Sequence, residues 1–258
     1  MNNPFHTLLQ RLDLRAGYPV GTFVMSASPL IAEATGFAGF DWAVLDMEHS
    51  PLELLALSQM LQAVAGTNML PITRVPCSDR VLVKRVLDAG AQTLMFPFVQ
   101  NAQEAREAVQ ACKYAPQGVR GMAAMSRGSQ FGTLKDYFKV ANQGISVLVQ
   151  VETPEAMEKI EEIAGVVGVD SIFMGPGDLS GAMGHIGEPM HPEVFELMAQ
   201  GVKRCHAIDK PVGTVGGTPE AVAKYRAAGF DYIGCASDLG LLMRNFDATL
   251  NAIESQKT

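Results

Sequence analysis

Eight short apolar runs punctuate the chain, and a stretch with helical spacing follows each one. The runs are Gly21–Met25, Trp42–Leu45, Leu70–Val75, Thr93–Phe96, Val147–Val151, Ser171–Met174, Val212–Val215 and Tyr232–Cys235. They are nearly continuous in apolar character, as strands buried on both faces of a parallel sheet are. Helical patterns are read over about Pro29–Gly36, Pro51–Val64, Asp79–Gly90, Ala102–Lys113, Pro154–Ala164, Pro192–Ala207, Pro219–Ala228 and Leu239–Ile253. Several open on proline, a residue suited to a first helical turn. Eight such units in 258 residues predict one (β/α)8 barrel domain over 1–258. An open doubly wound sheet is the alternative, but the turn after Gly21 lacks the glycine fingerprint of dinucleotide binding. The segment at about 114–143 breaks the rhythm and is rich in Gly, Ser, Gln and Met. It is too long for a plain connection and is expected to be an inserted active-site cover.

A barrel of this kind places its chemistry at the carboxyl ends of its strands. Asp46, Glu48 and His49 follow the second run, and Arg74 ends the third. Gln150 and Glu152 close the fifth run, and Gly175, Pro176, Gly177 and Asp178 close the sixth. Polar groups at the ends of buried strands are expensive unless they are used or paired. Neighbouring parallel strands end on the same side, so Glu152 and Asp178 can converge on a divalent cation with oxygen ligands. The bland reading is that each favours the start of the helix after it. Likewise, Arg74 and Asp46 can be a plain interior ion pair.

No lysine ends a strand, so a Schiff-base mechanism lacks a nucleophile. The serines near the mouth lack a histidine and acid at recognisable spacing. Two carboxylates for a cation, one histidine, one arginine and a glycine turn suit the stabilisation of an enolate. A bound Mg²⁺ or Mn²⁺ polarises a 2-oxo group, Arg74 faces the developing charge, the amides at Gly177 and Asp178 bind a carboxylate, and His49 moves a proton near neutral pH.

The net charge of -7 and the absence of a basic run argue against nucleic acid or an anionic membrane as a partner. The four cysteines are scattered without metal-binding spacing, as in a reduced cytoplasmic protein. The first residues, MNNPFHTLLQRLDL, show no signal-peptide pattern, and no apolar run is long enough to span a membrane.

Five motifs occur in order: D-x-E-H (Asp46, Glu48, His49), R-V-P (Arg74 to Pro76), Y-x-P-x-G-x-R-G (Tyr114 to Gly121), Q-x-E-T (Gln150 to Thr153) and G-P-x-D-L-S (Gly175 to Ser180). Together they resemble the class II, metal-dependent 2-keto-3-deoxy acid aldolases of the HpcH/HpaI family, over about Gly21 to Asn251. The resemblance implies a (β/α)8 barrel, often with the last helix swapped between subunits, in a homohexamer. It implies Glu152 and Asp178 as ligands of Mg²⁺, Mn²⁺ or Co²⁺, Arg74 on the oxo group and Gln150 beside the pyruvyl moiety. It also implies that His49 works with an acid, Asp46, to activate a water at the metal as base. Asp88 matches a second acid placed near that histidine across a subunit contact. The chain departs from the family at Gly177, where alanine is common, and at Ser126–Phe131, which puts the acceptor aldehyde in question.

The expected reaction is reversible cleavage of a 4-hydroxy-2-oxo acid to pyruvate, or a related 2-oxo acid, and an aldehyde. A malyl- or citramalyl-CoA-type lyase is the second reading, disfavoured because no basic cluster offers to grip CoA phosphates. A non-catalytic oxoacid sensor is the third. His49, Arg74 and both ligands are all present, which weighs against it.

Overall fold

The computed structural model describes every residue except Met1, Leu12 and Thr258. Eight strands run in chain order: β1 (Val20–Val24), β2 (Trp42–Asp46), β3 (Leu70–Arg74), β4 (Thr93–Phe96), β5 (Ser146–Val151), β6 (Ser171–Met174), β7 (Val212–Val215) and β8 (Tyr232–Ser237). Each pairs in parallel with the next, and β8 returns to β1, so the sheet closes on itself. The expected (β/α)8 barrel is the observed fold, in a single domain.

Large side chains fill the lumen where small ones give way. Trp42 meets both Phe173 and Tyr232 edge to face, with the Trp42 and Tyr232 rings 5.5 Å apart. Gly21 and Gly213 make the room: a Cβ on Gly21 would lie 2.1 Å from the Trp42 ring, and one on Gly213 would lie 2.2 Å from that of Tyr232. The floor is stopped by a helix that periodicity does not reveal, α1 (Pro4–Leu9). Its fully buried Phe5 packs edge-on against Tyr232 at 5.1 Å. Asn3 caps α1 by accepting from the Phe5 and His6 amides, both at 3.1 Å.

The outer layer begins with α2 (Pro29–Phe37), α3 (Leu54–Ala63), α4 (Arg80–Asp88) and α5 (Ala102–Cys112). Ser28, Asp79 and Asn101 cap α2, α4 and α5 through their side chains. The sequence pattern opens α3 at Pro51, but the helix begins three residues later, because Leu52 is buried in the core on an extended approach. A short helix, α6 (Tyr137–Val140), lies in the irregular segment before β5. The expected helix after β5 is broken at Lys159 into α7 (Pro154–Glu158) and α8 (Ile160–Ala164). Arg204 satisfies the break, donating to the carbonyls of Met157 and Glu158 at 2.8 Å each. The remaining helices are α9 (Pro176–Ala182), α10 (Pro192–His206), α11 (Pro219–Ala227) and α12 (Asp238–Glu254). No helix among the described residues is long and apolar enough to cross a membrane.

The segment at 114–143 is corrected by its position. It joins the end of α5 to the start of β5, and such a connection begins and ends at the amino-terminal floor of the barrel. There Arg127 donates to the carbonyls of Leu61 and Ala89, at the ends of α3 and α4. Arg120 donates to Asp88 at 2.8 Å. Within its own chain the segment therefore covers the floor, away from the catalytic ends of the strands.

Candidate active site

The register of β2 against β3 sets Asp46 opposite Arg74. Arg74 holds Asp46 with a two-pronged fork, Nε to Oδ1 at 2.9 Å and Nη2 to Oδ2 at 2.7 Å. Asp46 is fully buried, and its Oδ1 also accepts from the backbone amides of Glu48 at 3.0 Å and His49 at 3.3 Å. Ser50 donates its hydroxyl to the Asp46 carbonyl. The ion pair that the sequence allowed is thus present, and it serves to fold the turn after β2. Asp46 touches the backbone of His49, not its ring.

The carboxylate beside the imidazole is Glu48, a residue that the motif contained but to which sequence reasoning gave no role. Its Oε2 lies 3.8 Å from His49 Nε2 and 3.0 Å from Arg74 Nη1. Burial raises the Glu48 carboxyl above its ordinary range, and Arg74 and His49 oppose that rise. The His49 side chain is 58% exposed and stands at the rim. The Arg74 guanidinium rests 5.2 Å above the Phe23 ring, which completes its cradle.

Across the mouth, Glu152 follows β5 and is almost fully buried. Its Oε1 accepts from the Phe98 amide at 3.0 Å, and its Oε2 accepts from Gln150 Nε2 at 3.2 Å. Phe98 aims its amide from left-handed backbone, with φ of 52°. A Cβ on Gly175 would lie 2.1 Å from Glu152 Oε2, so that position has space only for glycine. The Glu152 carboxyl is pushed up to about 7, by burial first, with Asp178 and Glu48 adding and the Phe98 amide and Arg74 opposing.

Pro176 opens α9 without a side-chain cap, and Gly177 and Asp178 lie exposed in its first turn. Asp178 repels both Glu48 and Glu152, so the charges on β2 and on the β6 end meet across the mouth. Asp46 and Glu48 thus pair with Arg74, while Glu152 and Asp178 bring two further carboxylates to the same mouth. The buried Gln150 Oε1 has no hydrogen-bond partner. This surplus of oxygen donors fits a hard divalent cation. Asp88 is not in this group, because its partner Arg120 holds it at the floor of its own chain.

The HpcH/HpaI aldolase/citrate lyase family pattern matches residues 20–245. The chain is 47% identical over 243 residues to the 2-dehydro-3,6-dideoxy-6-sulfogluconate aldolase of Pseudomonas putida, covering 94% of this chain and 95% of that one. It is 41% identical to the pyruvate aldolase of Rhizobium etli, covering 91% and 93%. The solved structure of an HpcH/HpaI aldolase/citrate lyase family protein from Burkholderia cenocepacia superposes with a TM-score of 0.89 at 37% identity, over 98% of this chain and 99% of that one. A barrel with four of these five motifs at its strand ends, matched by the family pattern over residues 20–245, belongs to the HpcH/HpaI aldolase/citrate lyase family.

Proposed function

We propose that the chain cleaves a 4-hydroxy-2-oxo acid reversibly to pyruvate, or a related 2-oxo acid, and an aldehyde, with a divalent cation held by Glu152 and Asp178. It is a carbon–carbon lyase of the aldolase type, as its family membership and its relatives at 41–47% identity establish. The observation that carries the finer reading is the buried Glu152, which faces Asp178 and Glu48 at the barrel mouth while Arg74 is already forked by Asp46 and paired with Glu48. A Mg²⁺ or Mn²⁺ ion there supplies Lewis-acid polarisation of the 2-oxo group.

The chain's own residues do the rest. Gln150, held beside Glu152 through its Nε2, lines the place of the pyruvyl moiety. The first-turn amides of Gly177 and Asp178, unclaimed by a side-chain cap, receive the substrate carboxylate. Arg74, locked by Asp46, presents fixed positive charge to the oxygen that becomes negative. His49 takes the proton from the C4 hydroxyl as the C3–C4 bond breaks, and a proton is then returned to C3. Glu48, 3.8 Å away, faces the imidazolium formed in between. Asp46 holds the turn that carries both.

The catalytic unit is a homo-oligomer, in keeping with a hexamer, assembled through α12. That helix has no buried residue, and it carries Leu239, Leu242, Met243, Phe246, Leu250 and Ile253 along one exposed stripe. The decisive assay is turnover of pyruvate with a short aldehyde, with and without EDTA. Condensation that stops on chelation and returns with Mg²⁺ or Mn²⁺ is expected. Unchanged turnover in EDTA would remove the cation from the reading.

A further inference from the structure

We propose that His185, His191 and Glu193 form a second cation site, separate from the carboxylates at the mouth, that takes a borderline metal such as Zn²⁺. Among the described residues this is the one group of three whose ligand atoms all lie within 4.8 Å of one another. It spans the connection between α9 and α10 and the first turn of α10, where Glu193 lies and His191 is the N-cap. The backbone of that connection is pinned by a chain of turns. His185 N donates to Ser180 O at 2.8 Å, Glu188 N to His185 O at 2.9 Å and His191 N to Glu188 O at 2.9 Å. Both imidazoles are thus presented by a fixed loop.

The chemistry of the three groups suits a metal better than protons. The rings of His185 and His191 are stacked 3.5 Å apart at 14°. Each neutral imidazole carries a lone pair that a borderline metal can take. His185 Nε2 lies 3.0 Å from Glu193 Oε2, and the Glu193 carboxyl is held below its ordinary range by that contact. Ligands bonded to a tetrahedral metal at about 2.0–2.1 Å lie roughly 3.3 Å apart, so this pair is already near the required separation. An ion that replaces the shared proton then needs only the second imidazole. That ring must turn about its Cβ–Cγ bond to aim its lone pair. Besides the stacking on His185, it accepts a long 3.4 Å contact from the Glu193 amide at Nδ1. Two nitrogens and one oxygen select Zn²⁺ over Mg²⁺, which prefers oxygen throughout. The metal would clip the two ends of the connection together, one on each side of Pro189.

Equilibrium dialysis of the chelator-stripped full chain against Zn²⁺ tests the site. Two bound equivalents are expected for the wild type. His185→Ala and His191→Ala should each lose one, with affinity there falling by roughly 100-fold or more. Glu152→Gln should keep the loop equivalent. Circular dichroism confirms that each variant is folded, and His191→Gln, which retains a polar side chain at the cap, guards against a loss due to the cap alone. Unchanged stoichiometry in both histidine variants would overturn the proposal, as would a loop equivalent weaker than about 100 μM. Because the dialysis reads no turnover, its failure leaves the aldolase reading untouched.

Discussion

Burial leaves Glu152 with a proton over a range in which an ordinary glutamate has none. Its carboxyl titrates at about 7 in the fold, against 4.5 for a glutamate side chain free in water. Between those values the folded chain holds more protons than the unfolded one, so stability falls as pH rises. The loss is complete above the folded value and amounts to roughly 3 kcal/mol. Glu48, raised by burial, acts with the same sign. In chelated protein the melting temperature should therefore drop from about pH 5 to about pH 7.5, and Glu152→Gln should flatten the slope. A midpoint that climbs over this interval would contradict the environment described. His49 is tested by function: His49→Ala should slow turnover by roughly 10²–10⁴-fold with little change in metal affinity. Exchange of pyruvate C3 protons in D₂O isolates its role, since wild-type exchange in the variant would exclude it as the enolising base. Asp46, Arg74, Gln150, Glu152 and Asp178 were legible because polar residues at the ends of buried strands stand out. The Asp46–Arg74 pair was legible as one of two readings, but the partner of the imidazole was not. The Asp46–Arg74 fork depends on register, and the turn after β2 decides that Glu48, rather than Asp46, meets the imidazole ring.

At the level of elements, the βα turns carry the geometry. Gly175 lets the start of α9 pass against Glu152, and a methyl there would collide with Oε2 at 2.1 Å. Gly175→Ala should weaken Mg²⁺ binding by roughly 10–100-fold while far-ultraviolet circular dichroism stays native. Binding at wild-type strength, measured by calorimetry, would mean that the carboxylate relaxes freely. The eight strands could be read from sequence because burial on both faces writes an unbroken apolar run. Six residues of α1 are too few to show a period, and the cap at Asn3 emerges only in the structure. The break at Lys159 was equally hidden, since the carbonyls it frees are satisfied by Arg204, more than forty residues onward. The segment at 114–143 was recognised as unusual, but its end of the barrel follows from chain direction rather than composition.

For the molecule as a whole, the exposed stripe on α12 is the feature that one chain leaves unfinished. Replacing Leu242 and Phe246 together by Asp should shift the particle mass to a smaller species in light scattering, with the barrel still folded. An unchanged mass would clear α12 of that role. The closed ring of strands has another consequence. β2 and β6 are not neighbours, and Glu48 and Asp178 face each other only because the sheet bends round until β8 finds β1. A growing chain can pair β5 with β6, and so bring Glu152 towards Asp178, but the β2 turn with Glu48 faces them only when the last strand closes the ring. The complete mouth is therefore a late product of each polypeptide's synthesis, and a chain truncated before β8 lacks the closure that sets Glu48 opposite Asp178.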